Sequence, residues 1–541
     1  MSGSRKYVRH LSTLVTFSVA TLVVAACAPT SAPSGAVAQS NHTDSVLTVG
    51  LPGSLSTLDV AHEAGILNYY VAQVSSEGLL GVDTEGKIVP ALAEKWETTD
   101  GRTWVFTLRE GAKFQDGTQV TTDDVLFSLD IARDPERSPS TAVYWAEGTQ
   151  VEKTGEREIT ITLPEPSVNF DWTVTASGGL WITSRAFYEA AQSYGSSSDL
   201  IMGTGPYRAV EFQADSHATF ERVDTWWGKT NEKAPKKIEF DFFSDESTRL
   251  LAQQSGKLDI SLQIPASQQP QYEALSNTQV TTVTDRSYVG LTFDTAVAPF
   301  DDIHVRRAIA YAVDRNSIVS SVLNGKGEVA TSIESPEQLG SHIGVESARS
   351  LIAQNLADIQ TASFDMEAAR AELAQSVVPQ GFSAELLYPT SIPELGTAAL
   401  AIAENLKSLG IELTVTGKPV EQWITTLGTG EYGLSYMSYT PTTGDPAEIT
   451  GWLLGESNPA RYSQSDVRQL ITEQAGEVND AARATKILEA TKIALNDVIY
   501  SPIWWGKNTT AFASRVLHPE INSYFFMSGW ASQIGLTDSQ N

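Results

Sequence analysis

Cysteine is almost absent from this chain. Cys27 is the only one in 541 residues, so no intrachain disulfide can form. Histidine is scarce too. Outside the N-terminal leader only His42, His62, His217, His304, His342 and His518 occur, and no two of them sit at metal-ligand spacing, which argues against a metal centre. Gly-x-Ser-x-Gly, His-Glu-x-x-His and Gly-x-x-x-x-Gly-Lys-Ser/Thr are all missing, so the commonest signatures of hydrolases and nucleotide-binding proteins are excluded. No cofactor motif stands in their place, and the sequence points away from an enzyme. Positive charge is in short supply: 37 Lys and Arg face 65 Asp and Glu, giving a net charge of −28. That balance disfavours nucleic acid and electrostatic docking on anionic lipid. The acidic residues are spread along the chain, as on a solvated surface. Beyond the leader there is no run of 18 apolar residues, so no other segment reads as a membrane span.

The leader supplies an address. Arg5, Lys6 and Arg9 precede an apolar stretch from Leu11 to Val24, and Val24-Ala25-Ala26-Cys27 follows. This is the layout of a secretory signal over residues 1–26. Its last four residues match the bacterial lipobox, in which the cysteine is acylated and becomes the new N-terminus. Cys27 is therefore the expected lipidation site, and two or three acyl chains would anchor the chain firmly to a membrane. Residues 27–45 are small and polar and read as a flexible tether.

The rest is too long for one core and predicts two or three domains. Twelve tryptophans and many short β-branched segments suit a mixed α/β protein. Val46 to Val49 reads as a first strand, and Ala72 to Leu80 as a helix. Residues 91–130 are the most specified stretch. Asp100-Gly101 and Asp116-Gly117 mark turns, while Trp104, Phe106 and Leu108 alternate with Thr103, Val105, Thr107 and Arg109 as a strand with one buried face. Thr121 or Thr122 then caps a helix that begins at Asp123-Asp124 and buries Val125, Leu126 and Leu129. Glu158 to Leu163 and Lys237 to Phe242 alternate as further strands. Val305, Ile309, Ala312 and Val313 fall on one face of a helix.

These segments carry a resemblance. Trp96-Glu97, Asp100-Gly101, Leu108-Arg109, Phe114-x-Asp116-Gly117 and the Thr-x-x-Asp-Val-x-Phe-Ser run that ends at Ser128 resemble the signature of the family-5 solute-binding proteins of ABC importers, which carry oligopeptides, dipeptides and nickel. So do Gly203-Thr204-Gly205-Pro206-Tyr207, Trp226-Trp227-Gly228, Ser255-Gly256-Lys257-Leu258-Asp259, and the block from Leu291 through Pro299-Phe300 to Val305-Arg306 and Asp314-Arg315. The resemblance implies an α/β fold of the large, three-domain periplasmic-binding-protein type (type II), with two lobes and a ligand cleft. It implies a discontinuous first domain (46–85, 203–294 and 501–541), a second domain (86–202) and a third (295–500). It further implies a monomer that captures a peptide or other small solute and delivers it to an ABC permease and its ATPase.

The resemblance also points to the ligand site. The segment from Glu431 to Pro446 matches the family's ligand strand and loop, where backbone groups pair with an extended peptide. Tyr436, Ser438, Tyr439 and Thr440 fall on it, with Tyr436 and Tyr439 on one face or on opposite faces according to local bulging. Three residues before Asp445-Pro446, where the family carries an aspartate that clamps the peptide's α-amine, this chain has Thr442. A hydroxyl brings no charge. Asp445 either supplies the missing charge from a shifted loop or turns that loop. Trp423 matches a tryptophan that lines side-chain pockets, with a core position as the alternative, and Tyr288 is a further candidate. Trp226-Trp227 and Trp504-Trp505 read as structural. Residues 326–363 depart from the family by placing Ser335-Pro336 and a helix from Glu346 to Ile359 where relatives have a Pro-rich and aromatic-rich loop. Sugars, opines, a metal complex, or sensing without import remain the other readings.

Overall fold

Val46–Pro52 is buried through its whole middle. A strand of this kind belongs inside a sheet that is covered on both faces. In the computed structural model, which describes residues 45–63, 65–430 and 432–537, it pairs in parallel with Lys237–Phe243 on one side and Ile260–Ser261 on the other. The leader, Cys27, nearly all of the tether, and Glu431 lie outside the described residues.

This strand belongs to an 11-stranded mixed sheet. From one edge the order is Ile411–Lys418, Phe382–Pro389, Leu434–Tyr439, Thr278–Phe293, Tyr500–Ala513, Ile260–Ser261, Val46–Pro52, Lys237–Phe243, His217–Arg222 and Tyr207–Gln213, with Glu328–Val329 pairing beside Tyr500–Ala513. Two strands are far longer than the rest. Thr278–Phe293 and Tyr500–Ala513 run antiparallel from Thr278↔Ala513 to Thr292↔Tyr500, and their pairing lapses between Thr284 and Tyr288. One side of that lapse packs on a core containing Leu47, Val49, Phe220, Phe240 and Trp530. On the other side, strand alternation sends Leu291, Phe293, Leu434 and Tyr436 to a core with Ile309 and Ile402, while Tyr288 and Met437 join Trp423, Leu453, Leu488 and Trp505 on the opposite face.

A separate four-stranded antiparallel sheet (Ala93–Thr98, Thr103–Leu108, Glu158–Thr162, Gln150–Lys153) has its own core. Trp104, Phe106 and Leu108 are buried there with Val125 and Leu129 of the helix Thr122–Arg133. Thr121, not Thr122, is the cap. Its hydroxyl accepts from the Asp124 amide while the Asp124 carboxylate accepts from the Thr121 amide, a reciprocal pair that satisfies two free donors of the helix end.

The helix expected over 72–80 lies earlier, at Ile66–Ala72. Beyond Ser76 the chain has to pass against the backbone of residues 174–176, where a Cβ on Gly78 would come within 2.6 Å of the Ala176 nitrogen. Leu80 then starts a short strand paired with Pro90. The arginines of the Leu291–Arg315 block are structural staples. Arg306 donates to the carbonyls of Phe300 and Asp497, and buried Arg315 to Pro502 O and Ser501 Oγ. Helices Pro336–Ile343 and Val345–Asn355 occupy the departing segment.

One buried ion pair ties the two chain ends into the first half of the sheet. Asp259 is 1% exposed; it accepts from the Thr48 amide at 2.9 Å and from Arg515 Nη2 at 2.7 Å. Asp259→Ala strands a guanidinium and a strand amide, so it should lower stability by about 3 kcal/mol in urea unfolding. A loss below about 0.5 kcal/mol would contradict the structural role given to this pair.

Candidate functional site

The strand Leu434–Tyr439 leaves the sheet at Tyr439, and the loop 440–446 leads into the helix Ala447–Leu454. Pro441 and Pro446 stiffen this loop, and side chains from several directions hold it. Glu448, in the first turn of the helix, accepts the Tyr439 hydroxyl at 2.7 Å, the Thr442 amide at 3.0 Å, the Thr443 amide at 2.7 Å and the Thr443 hydroxyl at 2.6 Å. From the helix Pro336–Ile343, Ser341 Oγ donates to Gly444 O and Gln338 Nε2 to Asp445 O. Arg286, in the lapse between the long strands, donates to Thr443 O at 3.2 Å and to Ser523 O at 3.3 Å, while its guanidinium lies 4.2 Å from the Tyr524 ring centre.

The expected site residues separate. Tyr439 and Thr442 meet on Glu448. Asp445 points away from them. It is 1% exposed, takes two bonds from Arg483 at 2.6 and 2.7 Å, accepts from the Ala447 amide at 2.8 Å, and lies 3.4 Å from His342 Nε2. Burial alone would raise its carboxyl, but Arg483 and His342 hold it well below the usual range. Its charge is thus committed within the protein. Trp423 is buried, with its indole N–H on Ser435 Oγ at 3.0 Å. Tyr288 and Tyr436 are fully buried, and neither hydroxyl has a partner among the described residues. Tyr436 and Tyr439, three residues apart on a regular strand, fall on opposite faces. Ser438 and Thr440 are partly buried at the strand exit.

Other lining residues were not foreseen. Tyr69, on the helix Ile66–Ala72, and Tyr144, on the turn Ala142–Tyr144, lie near Glu448 and Tyr439. Burial, with the neighbouring Glu448 charge, pushes both phenols up. Trp181 lies against Tyr69 at 5.5 Å, and Trp452 stacks on Tyr439 at 6.3 Å and 18°. Glu448 sits two residues past the Asp445-Pro446 pair, where helix N-terminal acids are ordinary, so it gave little signal. The tyrosines are distant in sequence and unmarked by any motif.

Gly444 is where the walls meet. A Cβ there would lie 2.7 Å from Trp172 and 2.9 Å from the Tyr524 hydroxyl. Beyond that contact runs a groove of about 660 Å³ lined by Trp96, Trp172, Asp171, His342, Asp480 and Arg483. Burial, and then the Asp445 charge, push Asp171 up to about 6. Among the described residues no group of His, Cys, Asp or Glu is arranged to hold a metal ion, and no helix is long and apolar enough to cross a membrane.

Asp171 supplies a pH test. Its carboxyl is raised in the folded protein, so it favours folding while protonated and opposes it as pH rises from near 4 through about 6. Asp171→Asn should therefore stabilise the protein by of order 1 kcal/mol more at pH 7.5 than at pH 4.5 in urea unfolding. A gap independent of pH would contradict the raised carboxyl that burial, and then the Asp445 charge, give Asp171.

Comparisons with known proteins follow the same lines. The model for the middle region of the bacterial extracellular solute-binding proteins, family 5, matches residues 87–461. The dipeptide-binding protein DppE of Bacillus subtilis is 25% identical over 79% of this chain and 81% of its own. Heme-binding protein A of Haemophilus influenzae is 27% identical over 95% of this chain and 96% of its own. Among solved structures, the periplasmic binding protein AgaA of A. tumefaciens R10 with agropinic acid superposes with a TM-score of 0.78 at 26% identity, covering 92% of this chain and 99% of that one. DppA of Helicobacter pylori, in complex with the peptide STSA, gives 0.76 at 20% identity over 91% and 98%.

Proposed function

Because this chain belongs to the bacterial extracellular solute-binding proteins of family 5, we propose that it captures short peptides between two lobes and delivers them to the permease of an ABC importer, with ATP hydrolysed by a separate subunit. One lobe comprises 46–294 and 501–541, with 86–202 as its inserted second domain, and the other is 295–500. The observation that carries this reading is the placement of the loop 440–446. Trp172 and Tyr524 come against Gly444 of this loop, Arg286 from the lapse in the two long strands bonds Thr443 O, and Tyr69 and Tyr144 lie near Glu448 just after it; Tyr69, Tyr144, Trp172 and Tyr524 all fall in the segments this reading assigns to the other lobe. Hinge closure of this kind responds to a ligand through its extra affinity for the closed form. Lipidation of Cys27 would hold the monomer at the extracytoplasmic face of the cell membrane.

A second reading is a non-peptide solute such as an opine. It is favoured by the uncharged Thr442 and by the likeness to the agropinic acid complex.

Native mass spectrometry of the delipidated protein, followed by thermal-shift titration with di- to pentapeptides, separates the two. Co-purified peptides, or a melting rise of about 2 °C or more at ligand well above Kd, are expected. No bound peptide and no shift, together with a rise on opines, would replace the peptide reading with the second.

A further inference from the structure

One short segment, 168–172, makes three contacts across the seam. It is fixed to its own domain by Phe170, whose ring lies 5.7 Å from Trp104 and 5.8 Å from Trp145. From that base it meets residues of 295–500. The Val168 amide donates to Ala475 O at 3.0 Å. Trp172 packs so closely on Gly444 that a Cβ there would come within 2.7 Å of the indole, so a side chain at 444 would hold the two surfaces apart. Between these contacts, Asp171 lies near enough to Asp445 and His342 to feel both charges.

The groove alongside adds Lys87 and Asp100 from the same domain, and Glu477, Asp480 and Arg483 from the other side. These groups are engaged elsewhere. Lys87 pairs with Glu85, Glu477 with Lys486 and Arg483 with Asp445, while Asp480 lies 3.7 Å from His342 Nδ1. Asp100 accepts the Arg102 and Thr103 amides of its own turn. Asp171 accepts the Trp172 amide at 3.0 Å and pairs with no Lys or Arg among the described residues. Docking of the segment therefore takes this carboxylate out of water and towards Asp445. Ionised, it pays for both; protonated, it pays for neither. His342 acts in the same direction. Burial opposes its charge, but Asp445 outweighs burial and raises the ring, and once charged it attracts Asp171. The docked form thus binds protons more tightly, and by linkage protons favour docking.

Resting on the two-lobe reading above, we propose that the segment 168–172 is a proton-sensitive latch: it docks on Gly444 and Ala475 of the other lobe, and acidification strengthens the docking, so closure answers to the surrounding pH as well as to ligand. The latch is a device of the seam and needs no contact with the ligand itself.

The test is double electron–electron resonance on the mature chain carrying Cys27→Ser, spin-labelled through Glu152→Cys and Glu404→Cys, two exposed positions on the two lobes. Cys27 is the only native cysteine, so only the two introduced positions take a label. Without ligand, the ratio of closed to open distances should rise about tenfold from pH 7.5 to pH 5, for a carboxyl at about 6 when docked and near 4 when free. Asp171→Asn should remove most of that response, and Gly444→Ala should lower the closed fraction at both pH values. The pH comparison on the labelled parent needs no latch variant to fold. Distances indifferent to pH, in a protein that a pool of di- to pentapeptides does close, would overturn the latch and leave the two-lobe reading standing. A full pH response in Asp171→Asn would overturn it as well. Distances that neither acid nor the peptide pool shifts would overturn the latch and peptide-driven closure together.

Discussion

Two antiparallel strands, Thr278–Phe293 and Tyr500–Ala513, carry the sheet from one set of cores to the other, and the geometry of the cleft depends on where their ladder fails. Through most of their length the backbone groups are paired and the strands are stiff. Between Thr284 and Tyr288 the register shifts. A break in pairing is where a sheet bends most cheaply, and this one lies under the loop 440–446. Arg286 sits within the break and donates to a carbonyl on each side of it, Thr443 in the loop and Ser523 in the C-terminal return. The loop's position is thereby coupled to the conformation of the crossing strands.

Three carboxylates around this loop have different environments. Asp445 is matched by Arg483 and His342 and stays charged deep in the protein. Asp171, partly buried and near Asp445, is pushed towards protonation. Glu448 is surrounded by neutral donors. Position relative to cations, and not residue type, decides what each can do.

Much of the fold was legible in the sequence. The alternation at 103–108, a helix cap at Thr121 or Thr122 and the helical face of Val305 and Ile309 follow from local periodicity and turn chemistry; the structure has them and settles the cap as Thr121. The segment 72–80 did not follow, because its path is set by close packing of Gly78 on residues 174–176, a contact with no local signature. The candidate site was legible only in part. Strand period two settles Tyr436 and Tyr439 to opposite faces once the strand is regular, but no sequence pattern says that it is. Tyr69, Tyr144 and Trp181 come from segments far from the loop, and only the tertiary fold assembles them.

The most direct measurement is a crystal structure of the protein purified with a peptide identified in its bound state. The account predicts peptide density between the Tyr69, Tyr144 and Trp181 wall and the Tyr439 to Glu448 segment, with the lobes closed. Density in the groove beside Trp96 and His342 instead, or a closed cleft with the peptide elsewhere, would contradict it.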